Sequence, residues 1–227
     1  MLHFICGTDR LCVSERVIQT VCARAAEGVG NQILIFPEQD SHDAERALCL
    51  AGGDTISRYA EVLSFSRLAS RLMSVYGGVS EEYLDEGGRL LTMVLTVRQV
   101  LPQLKYFAAA AGRVEFLRQL GQGMEEFLSY GLSPEDFSRC AGCVTGLFAQ
   151  KLTELGLIYE SYLSLCQGSR RDPVTRQLAL LELLRREDWA AEHTVYISGF
   201  SDFTGVQTQI VSELMKGSRS LTDETLA

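Results

Sequence analysis

Long apolar runs are missing from this sequence of 227 residues. None approaches the roughly 20 consecutive apolar residues that a membrane-spanning helix requires, so a membrane span is excluded. The opening MLHFICGTDR has no basic start and turns polar after six residues. That is not a secretory signal, and the expected compartment is the cytoplasm. A basic field is also missing: 21 Lys+Arg stand against 29 Asp+Glu, a net charge of −8. Strong, sequence-independent nucleic-acid binding normally rests on such a field. The cations are nearly all arginine, 18 against 3 lysines, and arginine suits bidentate phosphate contacts and ion pairs. Arg170-Arg171 and Arg185-Arg186 are therefore local candidates, with an ion-paired helix face as the plainer reading of each. Histidine is scarce, with only His3, His42 and His193. The seven cysteines, Cys6, Cys12, Cys22, Cys49, Cys140, Cys143 and Cys166, are odd in number and follow no export signal, which argues against a disulfide framework. Cys140-Ala-Gly-Cys143 is a single CxxC with no second pair and no histidine at ligand spacing. A tetrahedral zinc needs four ligands, so these thiols read as structural and no metal is expected.

What is present is an ordinary globular composition, 46% hydrophobic, enough for one large domain or a domain with an insertion and far from the signature of disorder. The first third alternates strand and helix. Leu2 to Cys6 is a short apolar run ended by Gly7. Val17, Ile18, Val21, Cys22 and Ala25 recur at helical spacing, and Gly28 and Gly30 stop that helix. Gln32 to Phe36 is a β-type run ending at Pro37. A short helix follows from Ser41, its expected N-cap, and Glu61 to Leu63 is a third strand, with Ser64 capping the next helix. Short strand–helix repeats predict a parallel α/β sheet. The middle, from about Leu84 to Arg186, is helical: Val114, Leu117, Leu120, Met124 and Phe127 form one stripe, and Phe148, Leu152, Leu155, Tyr159, Tyr162 and Cys166 another, both expected in a core. Ser133-Pro134-Glu135-Asp136 reads as a capped helix start. Thr194 to Ile197 is again a strand, Gly199 breaks it, Val206 to Met215 is a helix, and Ser218 to Thr222 begins a further strand. A strand begun and not followed, before a TDETLA end with no stop signal, points to a piece of a longer protein. The expected organisation is an α/β core over 1–83 and 191–227, interrupted by a helical subdomain over 84–190.

The turn after Cys6 is where a phosphate loop, GxxxxGK[ST], would lie. Its amides cradle phosphates, its lysine neutralises them and its hydroxyl holds Mg²⁺. Gly7 matches the first glycine and Ser14 the final hydroxyl. Cys12 replaces the second glycine and Val13 the lysine, removing a conformationally free residue and the charge.

Several segments resemble, in order, the start of AddB, the B subunit of bacterial AddAB ATP-dependent helicase/nuclease complexes (RexB in some lineages). Phe36-Pro-Glu-Gln-Asp-Ser-His-Asp-Ala-Glu-Arg-Ala-Leu48 is similar to the family's VPEQFSFEAERAL. Val62 to Ala69, Asp85 to Leu91, Leu132 to Asp136 and Lys151 to Tyr162 follow in the same order. Val195-Tyr-Ile-Ser-Gly-Phe-Ser-Asp-Phe-Thr204 is similar to VYVDGFTGFTP. The resemblance spans nearly the whole chain. It implies a P-loop NTPase-like fold, the first motor domain of a superfamily 1 helicase with a helical insertion. It also implies a role in double-strand break repair and recombination, a partner AddA-like motor/nuclease subunit, and an iron–sulfur cluster only in a C-terminal region absent here.

Motors carry Asp-Glu after a later strand, to support Mg²⁺ and position the attacking water. Here Ser198-Gly199 stand at that place, with Asp202 further along as a turn residue. Gly7, Cys12, Val13, Ser14, Ser198 and Gly199 thus form a degenerate nucleotide site with no catalytic residue, and neither ATP hydrolysis nor ATP/Mg²⁺ as cofactor is expected of this chain. The equivalent loops of such helicases line a single-strand channel, stacking on bases and contacting phosphate. This makes Gln39, Ser41, His42, Ser64, Phe65, Ser66 and Arg67 the candidate DNA contacts, with helix capping the alternative for Ser41 and Ser64 and core packing for Phe65. Two other readings stand beside this one: a nucleotide enzyme in which Arg10 supplies the missing charge, and a protein-binding scaffold.

Overall fold

The computed structural model describes residues 2–7, 10–77, 83–168, 172–217 and 220–226. The chain divides into two compact units, Met1–Val79 with Arg176–Ala227, and Ser80–Thr175. The first contains β1 (Leu2–Gly7), α1 (Arg10–Ala26), β2 (Gln32–Ile35), α2 (Ser41–Gly52), β3 (Ala60–Leu63) and α3 (Phe65–Tyr76). The second contains α4 (Glu86–Val100), α5 (Val114–Ser129), α6 (Pro134–Gly142) and α7 (Gly146–Gly168). α8 (Thr175–Arg186), β4 (Thr194–Ile197), α9 (Gly205–Gly217) and β5 (Ser220–Leu226) complete the first.

The five strands form one parallel sheet in the order β1-β5-β4-β2-β3. A parallel sheet covered on both faces needs apolar residues on both, and the strands supply them by period-2 alternation. Ile33, Ile35, Leu63, Val195 and Ile197 enter one core with Leu68 and Leu72 of α3, Leu180 and Leu184 of α8, and Ile210 and Leu214 of α9. Leu34, Val62 and Tyr196 enter the other with Val17 and Val21 of α1 and Leu48 of α2. The α/β class with a doubly wound parallel sheet follows from these two cores.

A buried polar network fixes the start of β2. Gln32 donates through Nε2 to the carbonyls of Val21 (3.2 Å) and Val29 (3.1 Å), and its Oε1 accepts from the Tyr196 hydroxyl at 3.1 Å. Arg24 donates to the same hydroxyl at 2.9 Å. Burial raises the Tyr196 phenol above its ordinary range, although Arg24 opposes this.

The helical unit is organised by two carboxylates. Glu154 on α7 accepts the backbone N–H groups of Lys105 (2.9 Å), Tyr106 (2.7 Å) and Phe107 (3.0 Å) and the amide of Gln150 (3.1 Å). Burial alone would raise its pKa, but these donors outweigh it and hold the group below its usual value. Asp172 is fully buried; it accepts the Tyr162 hydroxyl at 2.7 Å and the Val174 N–H at 2.9 Å, and pairs with Arg89 Nε at 3.2 Å. Burial and then Asp172 drive the Tyr162 phenol well above its ordinary range. Tyr159 is pushed up to about 12, chiefly by burial; its hydroxyl donates to the Leu132 carbonyl at 2.9 Å.

Three expectations from the sequence need correction. Ser41 is not the N-cap of α2: Asp40 occupies that position, and Ser41 is buried in the first turn, donating to the Glu38 carbonyl at 2.9 Å. Val114 and Phe148, expected in core stripes, are 48% and 55% exposed, because each stands in the first turn of its helix, off the packed stretch. The helical subdomain ends at Thr175 rather than 190, because Leu180, Leu181, Leu183 and Leu184 of α8 pack in the α/β core. The strand expected from Ser218 to Thr222 is present as β5 from Ser220 onward; Ser218, like Arg170 and Arg171, lies outside the described residues. Ser64 does cap α3, accepting the Arg67 N–H at 3.2 Å. Ser133 and Asp136 form a reciprocal capping box with Pro134 inside it.

Candidate functional site

From β2 the chain moves outward to β3, whereas from β4 it moves the opposite way, to β5. β2 and β4 are neighbours whose following connections diverge, and the loops past their carboxyl ends must part. Open α/β sheets bind their ligands at such a switch point. A crevice of about 340 Å³ lies there. Phe36–Gln39 after β2, Ser64–Ser66 after β3 and Gly199–Asp202 after β4 line it, joined by Gln177 of α8 and Gln207 of α9.

Its chemistry is amide, hydroxyl and aromatic, and among the described residues that line it the charged side chains are Glu38 and Asp202, with no cation. Phe65 packs against Phe200 (centroids 5.4 Å) and Phe203 (6.5 Å), and it is buried. This aromatic trio anchors the loop after β4 to the start of α3. Thr204 and Gln207 exchange bonds in a second capping box, the Thr204 N–H donating to Gln207 Oε1 at 3.1 Å and the Gln207 N–H to Thr204 Oγ1 at 3.3 Å. Asp202 accepts the Phe203 N–H at 2.8 Å, the turn role read from the sequence.

The candidate contacts divide. Gln39, Ser64, Phe65 and Ser66 line the crevice. Arg67 lines an adjoining groove and pairs with Glu45 at 3.4 Å. His42 is exposed on α2 and Ser41 is buried, and neither lines the crevice or the groove.

The residues at the phosphate-loop and acidic-pair positions also meet. Gly7 ends β1 opposite Leu226 of β5. Val13, at the lysine position, is 4% exposed and belongs to the core. The Ser14 hydroxyl lies 3.1 Å from that of Ser198, across 184 residues of sequence. Gly199 has φ of +84°, a left-handed conformation that a side chain disfavours. The side chains of Arg10 and Cys12 lie outside what is described. Among the described residues no group of three or more His, Cys, Asp or Glu side chains is placed to hold a metal ion, and no helix is long and apolar enough to cross a membrane.

The sequence model of the family described as ADDB, N-terminal matches residues 4–223. The chain belongs to that family. It is 26% identical over 232 residues to the B subunit of an ATP-dependent helicase/deoxyribonuclease of Oceanobacillus iheyensis, a match covering 97% of this chain and 20% of that protein. Proteins of the same name from Acetivibrio thermocellus and Moorella thermoacetica are each 28% identical, over 92% and 95% of this chain. The chain spans about a fifth of the length of these AddB relatives.

Sequence reasoning missed Gln177, Phe200, Ser201 and Gln207 at the crevice. Gln207 carried a legible signal, the T-x-x-Q spacing of a capping box at Thr204. Gln177 carried none, since the sequence places α8 in the helical subdomain. Arg185 and Arg186 are ion-paired, Arg185 with Glu182 (2.9 Å) and Glu213 (3.6 Å), Arg186 with Glu187 (2.8 Å).

Proposed function

We propose that this chain is a helicase-like DNA-handling module of an AddB subunit: an inactivated motor that holds single-stranded DNA while a partner AddA-like subunit hydrolyses ATP. The work of the whole assembly would be double-strand break repair and recombination in the bacterial cytoplasm. The observation that carries the reading is the convergence of Gln39, Ser64, Phe65 and Ser66 on the switch-point crevice. Amide and hydroxyl groups there can donate and accept at base edges without selecting one sequence. The charged side chains described in the lining are two carboxylates, which suit uncharged bases and repel phosphate.

The P-loop-like reading of the fold rests on the resemblance and on the meeting of Ser14 of α1 with Ser198 after β4. A nucleotide with Mg²⁺ does not fit these residues. A buried valine cannot neutralise a phosphate. Two serines bonded to each other offer no carboxylate to a hydrated cation, and the Gly199 backbone conformation opposes a glutamate there. No step of turnover is assigned to this chain.

Fluorescence anisotropy of a labelled oligothymidylate at low salt tests the reading. Binding by the chain, weakened several-fold in Gln39→Ala with the fold unchanged by circular dichroism, is the expected result. Binding equal in both proteins would move DNA away from the crevice, and no binding at all would favour the scaffold reading that the acidic net charge permits.

A further inference from the structure

The exposed face of α3 presents Arg67 and Arg71 at i, i+4 spacing, one turn apart on the same side of the helix. With Arg176 of α8 they line a groove of about 320 Å³. Glu38 and Ser66 line both this groove and the switch-point crevice, so the two are continuous along one edge of the α/β unit. Their charges differ: among the described residues the crevice lining holds Glu38 and Asp202 and no cation, whereas the groove lining holds three arginines beside Glu38 and Glu61.

The guanidinium groups of Arg67 and Arg71 are held but not sequestered. Arg67 meets Glu45 at 3.4 Å with the side chains 39% and 46% exposed, and Arg71 pairs with Glu61 at 47% and 35% exposure. Exposed pairs of this kind stabilise a protein by about 1 kcal/mol or less. A phosphate offers the same planar fork a charge-assisted, bidentate partner. Exchanging carboxylate for phosphate therefore needs no rearrangement of the fold. The carboxylates keep the groove's field weak until a polyanion is close.

We propose that this groove is a backbone track, in which Arg71 and Arg176, with Arg67 at its mouth, bind successive phosphates of the single strand whose bases occupy the crevice. Glu61 is the placeholder that the phosphate displaces from Arg71. The track rests on the reading of the crevice as a single-strand site.

Anisotropy with two labelled oligothymidylates tests it, one only long enough for the crevice and one several nucleotides longer, each over a salt series. In the double variant Arg71→Gln, Arg176→Gln the longer oligomer should lose affinity several-fold. Its slope of log affinity against log salt should fall by about 1.4, that is, about 0.7 for each single-strand phosphate that the variant no longer neutralises. The shorter oligomer should be unaffected. Glu61→Gln, which frees Arg71 without removing a cation, should bind the longer oligomer more tightly, an effect that a merely structural ion pair would not produce. Unchanged affinity and slope in the double variant, with Gln39→Ala still weakening both oligomers, would overturn the track and leave the crevice reading standing. Failure of the parent chain to bind either oligomer would overturn both.

Discussion

Replacing Gly199 by alanine tests the backbone feature on which the proposed loss of the motor's acidic pair rests. Gly199 follows β4 directly and has φ of +84°. A Cβ in the left-handed region costs about 1–2 kcal/mol. Alanine also lowers the entropy of the unfolded chain, which offsets about 0.4–1 kcal/mol of that cost. The net expectation for Gly199→Ala is a loss of about 1 kcal/mol, or roughly 2–4 °C in the melting temperature of a chain this size. Gly199→Asn, whose side chain tolerates that conformation, should lose less, and Gly199→Glu should lose at least as much as alanine. The molecule supplies its own probe. Its single tryptophan, Trp189, is buried in the α/β core with Val195 and Leu214, so tryptophan fluorescence during urea unfolding reports the unit that contains Gly199. A neutral or stabilising Gly199→Ala would refute the reasoning. It would mean that the turn accepts a side chain and that nothing in the backbone bars a glutamate.

Three further outcomes follow from the buried polar groups. Tyr196→Phe leaves the Gln32 carbonyl oxygen and an Arg24 donor without their shared hydroxyl. The cost should be about 1–2 kcal/mol, read by the same Trp189 transition. Glu154→Gln should free the N–H groups of Lys105, Tyr106 and Phe107 to exchange with deuterium much faster, with little change elsewhere in the chain. The native Glu154 carboxyl is depressed below its ordinary value of 4.5, so its contribution is fully present above that pH and is lost as pH falls through the lowered native value. Acidification below about 4.5 should therefore lower the protection of those amides relative to their intrinsic exchange rate at the same pH, whereas raising the pH from neutral should not strengthen it. Asp172→Ala strips partners from Tyr162 and Arg89 in the interior. A loss of about 3–5 kcal/mol is expected, detectable as early melting of helical circular dichroism; a change below 1 kcal/mol would mean that water substitutes for the carboxylate.

How much of this was legible in the sequence depended on the range of the interaction. Strands β2 and β4 announced themselves, because a doubly covered parallel strand must be apolar at every position, as Ile33-Leu34-Ile35 and Val195-Tyr196-Ile197 are. Caps at Ser64 and Ser133 were legible because a cap is decided within four residues. Ser41 misleads for the same local reason: a serine before a helical run looks like a cap, and only tertiary packing shows it buried one residue inside. The placement of α8 was not legible, since a leucine-rich helix has the same pattern whichever core receives it. The meeting of Ser14 with Ser198 spans 184 residues, and no periodicity predicts it; it was reachable only by laying both positions on the motor pattern. Arg71 and Arg176 look like single charges in the sequence, and the groove they share exists only once α3 and α8 are packed on one face of the sheet.

The claim on which the account turns is that nucleotide chemistry has left this α/β core while its fold persists. Isothermal titration of the chain with ATP and Mg²⁺ tests this most directly, beside a Cys12→Gly, Val13→Lys variant checked for folding by Trp189 fluorescence. The account predicts no binding heat from the parent chain. A saturable heat in the parent, abolished by Arg10→Ala, would contradict it and return the chain to the nucleotide-binding enzymes.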